Sequence, residues 1–228
     1  MIKSFLILIL FPIFLFSSQQ IIFVVADDFN RSDAKLYFFD GEKILLKSDV
    51  NIGKKGLGWG IGEINLTHKE GEPIKKEGDQ KAPAGVFKLE NIFGYAMGGK
   101  YKLPYLHTSK KLICVDDSDS PFYNQIIEKL GGEKSFEYMK RHDNQYEYGV
   151  TVLHNKMAKR GRGSCIFLHV EKAKGAGTAG CTSMKKSLLV KIINLLDKSK
   201  NPLLIQIPKE SIPQILKIYP QLQKAFKI

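Results

Sequence analysis

Cysteine is scarce in this chain of 228 residues: there are three, and no two form a Cys-x-x-Cys pair. A dithiol oxidoreductase needs two thiols within one turn, so that chemistry is disfavoured. Tryptophan occurs once, as Trp59. The apolar run at residues 4–16 is too short to span a bilayer comfortably. The glycine-rich stretch 53–62 has neither the lysine–serine/threonine ending of a phosphate loop nor dinucleotide spacing, so it reads as tight turns anchored by Trp59. The acids at 116, 117 and 119 lack EF-hand spacing and read as a cap on a helix over 122–130. No repeat, low-complexity segment or second domain boundary is present. Acidic residues almost vanish between 149 and 196, where Glu171 stands alone among nine lysines and arginines.

What is present fits one exported globular domain. A hydrophobic fraction of 43% and a charged fraction of 25% are ordinary, and the length suffices for a real core. A net charge of +12 is not ordinary and asks for an anionic partner: nucleic acid, anionic lipid or an acidic wall polymer. Lys3 ahead of the 4–16 run, with Ser17 and Ser18 behind it, has the pattern of a signal peptide. Phe16 is a poor neighbour for cleavage at Ser18, which leaves membrane anchoring through an uncleaved segment as the alternative. The expected organisation is therefore residues 1–18 as signal peptide or anchor and 19–228 as a single catalytic domain. The expected location is periplasmic and envelope-associated, the expected state a monomer. Export removes nucleic acid from the partner list.

Residues 164–184 carry the chemistry. A buried strand holding His169 leads through a Lys/Gly/Ala loop to Gly180-Cys181, and 12 positions of chain are enough to fold thiol onto imidazole. Gly177 and Gly180 permit close backbone approach, and turn amides near Cys181 offer an oxyanion hole. Cationic neighbours and a following helix N-terminus are expected to lower the thiol pKa. The competing reading is a structural cysteine beside a satisfied core histidine. Cys114 and Cys165 lie in apolar runs and read as buried singly, although a bridge between them would leave Cys181 as the free thiol.

Along the rest of the chain, 21–26 reads as a strand, 34–39 and 43–47 as a hairpin, 86–89 as a strand after a Pro83/Gly85 turn, and 112–115 as another strand. Residues 69–81 read as an exposed charged loop. Residues 146–154 and 164–170 read as neighbouring strands joined by a mobile basic loop. A helix is expected over 188–196, a last strand over 203–207, and a helix over 212–226 interrupted at Pro220.

Glu77-Gly-Asp, Pro83-Ala-Gly85-Val-Phe, Cys114-Val-Asp-Asp, Phe122-Tyr-Asn124, Gly161-Arg-Gly-Ser-Cys-Ile-Phe-Leu-His169 and Thr178-Ala-Gly-Cys181 occur in one order. Together they resemble the L,D-transpeptidase catalytic domain of YkuD type, from about residue 20 to 207. The resemblance implies an α+β but mainly β fold, a curved, sandwich-like sheet assembly with packed helices. It implies Cys181 as acylated nucleophile and His169 as base, with Gly180 in the oxyanion region, no cofactor and no metal. Peptidoglycan stem peptides would be the partners, bound near Ala179, Thr178, Arg162 and His154. His154 would lie near the site or face solvent at its strand end.

The common family motif has Ser-His-Gly-Cys and an arginine two residues after the cysteine. Here Thr178-Ala179-Gly180-Cys181 is followed by Thr182-Ser183, leaving Arg162 or a loop lysine to handle the substrate carboxylate. An L,D-carboxypeptidase, an amidase on the same peptides and a non-catalytic wall-binding protein are the alternatives to the transpeptidase.

Overall fold

The computed structural model describes residues 19–226, so the signal-or-anchor segment lies outside the described residues. Strand β1 (Gln20–Ala26) pairs antiparallel with β2 (Asp33–Asp40), which turns through Gly41 into β3 (Lys43–Asn51). Both faces of β1 are buried. Ile22, Val24 and Ala26 enter one core, and Ile21, Phe23 and Val25 enter another. Side-chain alternation makes this possible, and it explains why the strand reads as an unbroken apolar run.

Short β4 (Leu57–Trp59) runs parallel to the long β5 (Ala82–Gly94), and β6 (Tyr105–His107) flanks the far end of β5. Pro83 and Gly85 therefore lie inside a strand rather than in a turn. Pro83 needs no amide hydrogen there, and its carbonyl accepts a 2.9 Å bond from Gln206. Strand β7 (Leu112–Val115) is the middle of a separate three-stranded sheet with β8 (Ile126–Glu128) and β9 (Phe136–Tyr138). The helix expected over 122–130 does not form. Asn124 has φ +63°, which breaks a helix, and its side chain is committed elsewhere.

Strands β10 (Tyr148–Val152) and β11 (Phe167–Val170) are antiparallel neighbours, with Gly149 opposite His169. Strand β12 (Thr182–Met184) follows β11 in parallel, helix α1 (Lys186–Leu195) packs on the core, and β13 (Leu203–Pro208) returns beside β1. The order β10-β11-β12-β3-β2-β1-β13-β5 closes on itself because β5 also pairs with β10. Leu189, Ile192 and Ile193 of α1 fill the inside of this curved sheet. Helix α2 (Ile212–Ile218) covers the outer face through Ile215, and a 3₁₀ turn from Pro220 adds Leu222 and Ala225. The fold is mainly β with packed helices. Among the described residues, no helix is long and apolar enough to cross a membrane.

Candidate active site

Alternation on β11 sorts its side chains. Leu168 points into the main core, while Phe167 joins a smaller cluster with Phe93, Cys114, Met139, Tyr146, Cys165 and Cys181. His169, two residues past Phe167, shares that face. The parallel register pairs Leu168 with Thr182 and His169 with Ser183, bringing Cys181 alongside the start of β11. Both residues line one cleft of about 380 Å³, with Cys181 7% and His169 4% exposed.

The cysteine sulfur is held by backbone. Phe167 N–H donates to Sγ at 3.3 Å, and the thiol donates to the Cys165 carbonyl at 3.4 Å. The His169 Nδ1–H donates to the Val170 carbonyl at 2.8 Å, which fixes the tautomer and leaves Nε2 as the unprotonated ring nitrogen. Burial lowers the imidazole pKa to about 4. Burial, reinforced by Glu137, pushes the Cys181 thiol up to about 12, outweighing the Phe167 N–H and the charge of Lys75. The expected low-pKa thiolate is therefore overturned: desolvation exceeds the cationic surroundings, and Cys181 leads into strand β12, not a helix. The resting pair is neutral thiol and neutral imidazole.

The loop from β11 to β12 is pinned at both ends. Buried Asn51 donates to Glu171 at 2.9 Å and accepts from Gly175 N–H at 3.0 Å, so the one acid of this basic stretch is structural. A Cβ on Gly177 would lie 2.6 Å from the Lys54 Cα, a contact only glycine allows. Thr178 Oγ1 donates to the Cys181 carbonyl at 2.6 Å and accepts from Gly180 N–H at 3.1 Å. Gly180 N–H is thus already engaged, while exposed Ala179 lines the cleft beside Thr178.

The motif residues upstream brace this frame. Glu77 accepts from the Tyr123 hydroxyl at 2.5 Å and the Ser164 hydroxyl at 2.7 Å, and Tyr123 accepts from Gly163 N–H at 3.0 Å. Asn124 donates to the carbonyls of His154 and Asn155 at 2.9 and 3.0 Å and accepts from Cys165 N–H at 2.9 Å. Cys165 itself sits at φ +54° and is bridged to Cys114, so these two cysteines are not buried singly. Each run supplies one half of a bridge between β7 and the start of β11.

His154 lies neither in the cleft nor in solvent. It is 2% exposed, packs edge-on against Phe87, accepts from Ile61 N–H at 3.3 Å and donates to the Arg162 carbonyl at 2.9 Å. Arg162 donates through Nε to the Lys75 carbonyl and is absent from the cleft wall. The loop 155–163 is internally bonded through Asn155 to Lys159 and Gly163, a fixed turn in place of the mobile loop expected. Within the stretch read as an exposed loop, Lys75 is 2% exposed, and its ammonium is spent on Asp79 and the Lys76 carbonyl.

The residues not anticipated come from distant segments. Tyr146, 4% exposed, lies edge-on to His169 at 5.3 Å and donates to Glu137 at 2.5 Å. Arg141 covers the Tyr146 ring at 5.1 Å. Glu137 and Arg141 fall in a polar stretch without periodicity, and nothing local marks them. Ser183, where the common motif has its arginine, is 1% exposed, and its hydroxyl has no hydrogen-bond partner among the described residues.

No curated protein sequence matches this chain. Among solved structures, the helical cell shape determining protein Pgp2 from Campylobacter jejuni is similar at 13% identity, covering 84% of this chain and 50% of that one, with a TM-score of 0.40. An Enterococcus faecium L,D-transpeptidase, in a cysteine-to-serine mutant form, is similar at 11% identity, covering 82% and 49%, with a TM-score of 0.34. The chain spans about half the length of these structures. The family profile of the L,D-transpeptidase catalytic domain, YkuD, matches residues 24–207. The chain belongs to the YkuD family of L,D-transpeptidase catalytic domains.

Proposed function

We propose that this chain is an extracytoplasmic cysteine acyl-transfer enzyme acting on peptidoglycan stem peptides, with Cys181 as nucleophile and His169 as base. The observation that carries the reading is the shared cleft: the Cys181 sulfur held by Phe167 N–H, beside an imidazole fixed through Nδ1 on the same strand. For His169 to act as base, the thiol proton passes from its resting acceptor, the Cys165 carbonyl, to Nε2. With thiol and imidazole both neutral at rest, proton transfer is coupled to attack on the substrate carbonyl. Phe167 N–H stays on the sulfur as its charge develops. The amides of Ala179 and Cys181 are the donors proposed for the tetrahedral oxyanion, because Gly180 N–H is taken by Thr178.

Collapse of the intermediate breaks the amide, the imidazolium protonates the departing amine, and a thioester remains on Cys181. An acceptor amine then completes transpeptidation, while water completes L,D-carboxypeptidation. The net charge of +12 would concentrate acidic wall fragments, an effect that weakens with salt. The test is incubation of purified protein with tetrapeptide and pentapeptide muropeptides, with products read by mass. Exchange, trimming or amide cleavage lost in Cys181→Ala supports the reading. Wall binding that persists without any product in the unaltered protein refutes it.

A further inference from the structure

We propose that Arg141 is the carboxylate-recognition residue of this cleft, and that the preferred substrate carries a free carboxylate close to the amide attacked by Cys181. The inference rests on the acyl-transfer reading above and narrows its substrate class.

Arg141 lines the same cleft wall as Cys181 and His169. Its guanidinium lies over the ring of Tyr146, and that ring lies against His169, so the cation stands one aromatic ring from the base. The position is fixed from several sides. The Tyr95 hydroxyl donates to the Arg141 carbonyl at 3.0 Å and accepts from its N–H at 2.9 Å, locking the backbone. Asp143 accepts from Nε and Nη2 at 3.0 and 2.7 Å, and Gln145 holds the same carboxylate with its side-chain amide at 2.5 Å and its N–H at 3.2 Å. A guanidinium has five N–H donors, and Asp143 uses two, leaving three on a planar group whose side chain is 35% exposed. Rigid donors with one open face suit a planar anion, since little rotamer entropy is lost on binding.

The other charges in the cleft are less suited. Lys75 is spent on Asp79 and a carbonyl, and Glu77 on Tyr123 and Ser164. Glu137, which accepts from Tyr146, and Asp116, on the same wall, are acids and cannot hold a carboxylate by charge. Lys172 stands on the exposed loop between β11 and β12 and lacks the fork geometry. Arg162, anticipated for this role, is outside the cleft wall. Two carboxylates of a stem peptide satisfy the chemistry: the terminal α-carboxylate and the side-group carboxylate of a diamino acid.

The experiment compares three tetrapeptide substrates: the free acid, its C-terminal carboxamide and its diamino-acid carboxamide. Each is assayed with the unaltered enzyme, Arg141→Lys and Arg141→Gln. Loss of a charge-assisted hydrogen-bonded pair predicts a KM roughly 10- to 100-fold higher for Arg141→Gln on the free acid, with kcat changed little. The unaltered enzyme should show the same penalty on whichever carboxamide removes the recognised group, which identifies the source. Arg141→Gln should lose nothing further on that carboxamide, and Arg141→Lys should recover part of the loss. Equal losses on all three substrates, or no discrimination by the unaltered enzyme, overturn the proposal.

Melting temperatures monitor folding, and the acid–amide comparison on the unaltered enzyme needs no variant. Should no stem peptide be turned over, the acyl-transfer reading fails separately. Binding of the three peptides to Cys181→Ala protein, followed by calorimetry, then decides the role of Arg141. Weaker binding after amidation supports it, whereas equal affinity or no binding by any peptide sinks it.

Discussion

The carbonyl of Cys165 accepts the Cys181 thiol at 3.4 Å, while the side chain of Cys165 is bridged to Cys114. The disulfide thus anchors the peptide unit on which the candidate nucleophile rests. It closes a loop with a sequence separation of 51 residues. The chain-entropy model assigns such a loop about 4 kcal/mol. Cys114→Ala/Cys165→Ala should melt well below the unaltered protein and lose turnover at temperatures where it remains folded. Retention of full activity by the folded double variant would show that the anchor is dispensable.

The neutral Cys181–His169 pair has a kinetic signature. With imidazole lowered to about 4 and thiol raised to about 12, kcat/KM for a muropeptide should stay flat from roughly pH 5 to 10. Iodoacetamide should alkylate Cys181 more slowly at pH 7 than it alkylates free cysteine, because the thiolate is rare. His169→Ala should lower kcat by about 10²- to 10⁴-fold. An acid limb near 6.5 would mean that the imidazole is solvated in the working enzyme.

Two buried histidines also govern stability in acid. His154 and His169 are each held near pKa 4 by burial, against 6.5 as the ordinary value. The unfolded chain therefore binds more protons between these values, and stability falls as pH drops through that window. Each shift corresponds to roughly 3 kcal/mol, fully lost only below pH 4. Chemical denaturation at pH 7, 5.5 and 4.5 should show the decline. His154→Gln should shrink it by about half while leaving the cleft geometry intact.

Asn124 ties three backbone groups together from a left-handed conformation. Asn124→Ala leaves the Cys165 N–H and two carbonyls without that partner and adds strain at φ +63°, for a total of roughly 3 kcal/mol. Asn124→Gly loses the same bonds but tolerates the backbone, so it should be less destabilised by about 1 kcal/mol. Equal urea midpoints for the two variants would contradict the strain component.

The motifs were legible because they are local. Residues 161–169 and 178–181 carry their own turn glycines, strand pattern and candidate nucleophile, and with the other motifs their order along the chain carries the family resemblance. The alternation in β2 and the helical spacing in α1 likewise follow from short-range periodicity. The misread elements are those where a distant partner outweighs a local preference. Asn124 gives up a helix to bind segments 30 and 41 residues away. Pro83 joins a strand because β13 brings Gln206 to its carbonyl.

The sequence by itself determined the family motifs, the β-rich pattern and the choice of one cysteine and one histidine as candidates. Tertiary packing, of the closed sheet and of the separate β7–β9 sheet against it, decided the rest. It set Tyr146, Glu137 and Arg141 around the thiol, drew Cys114 to Cys165, and withdrew His154 and Arg162 from the cleft. It also reversed the expected thiol pKa. Charge counted along a chain carries no information on burial, and desolvation depends on what the fold packs around a group.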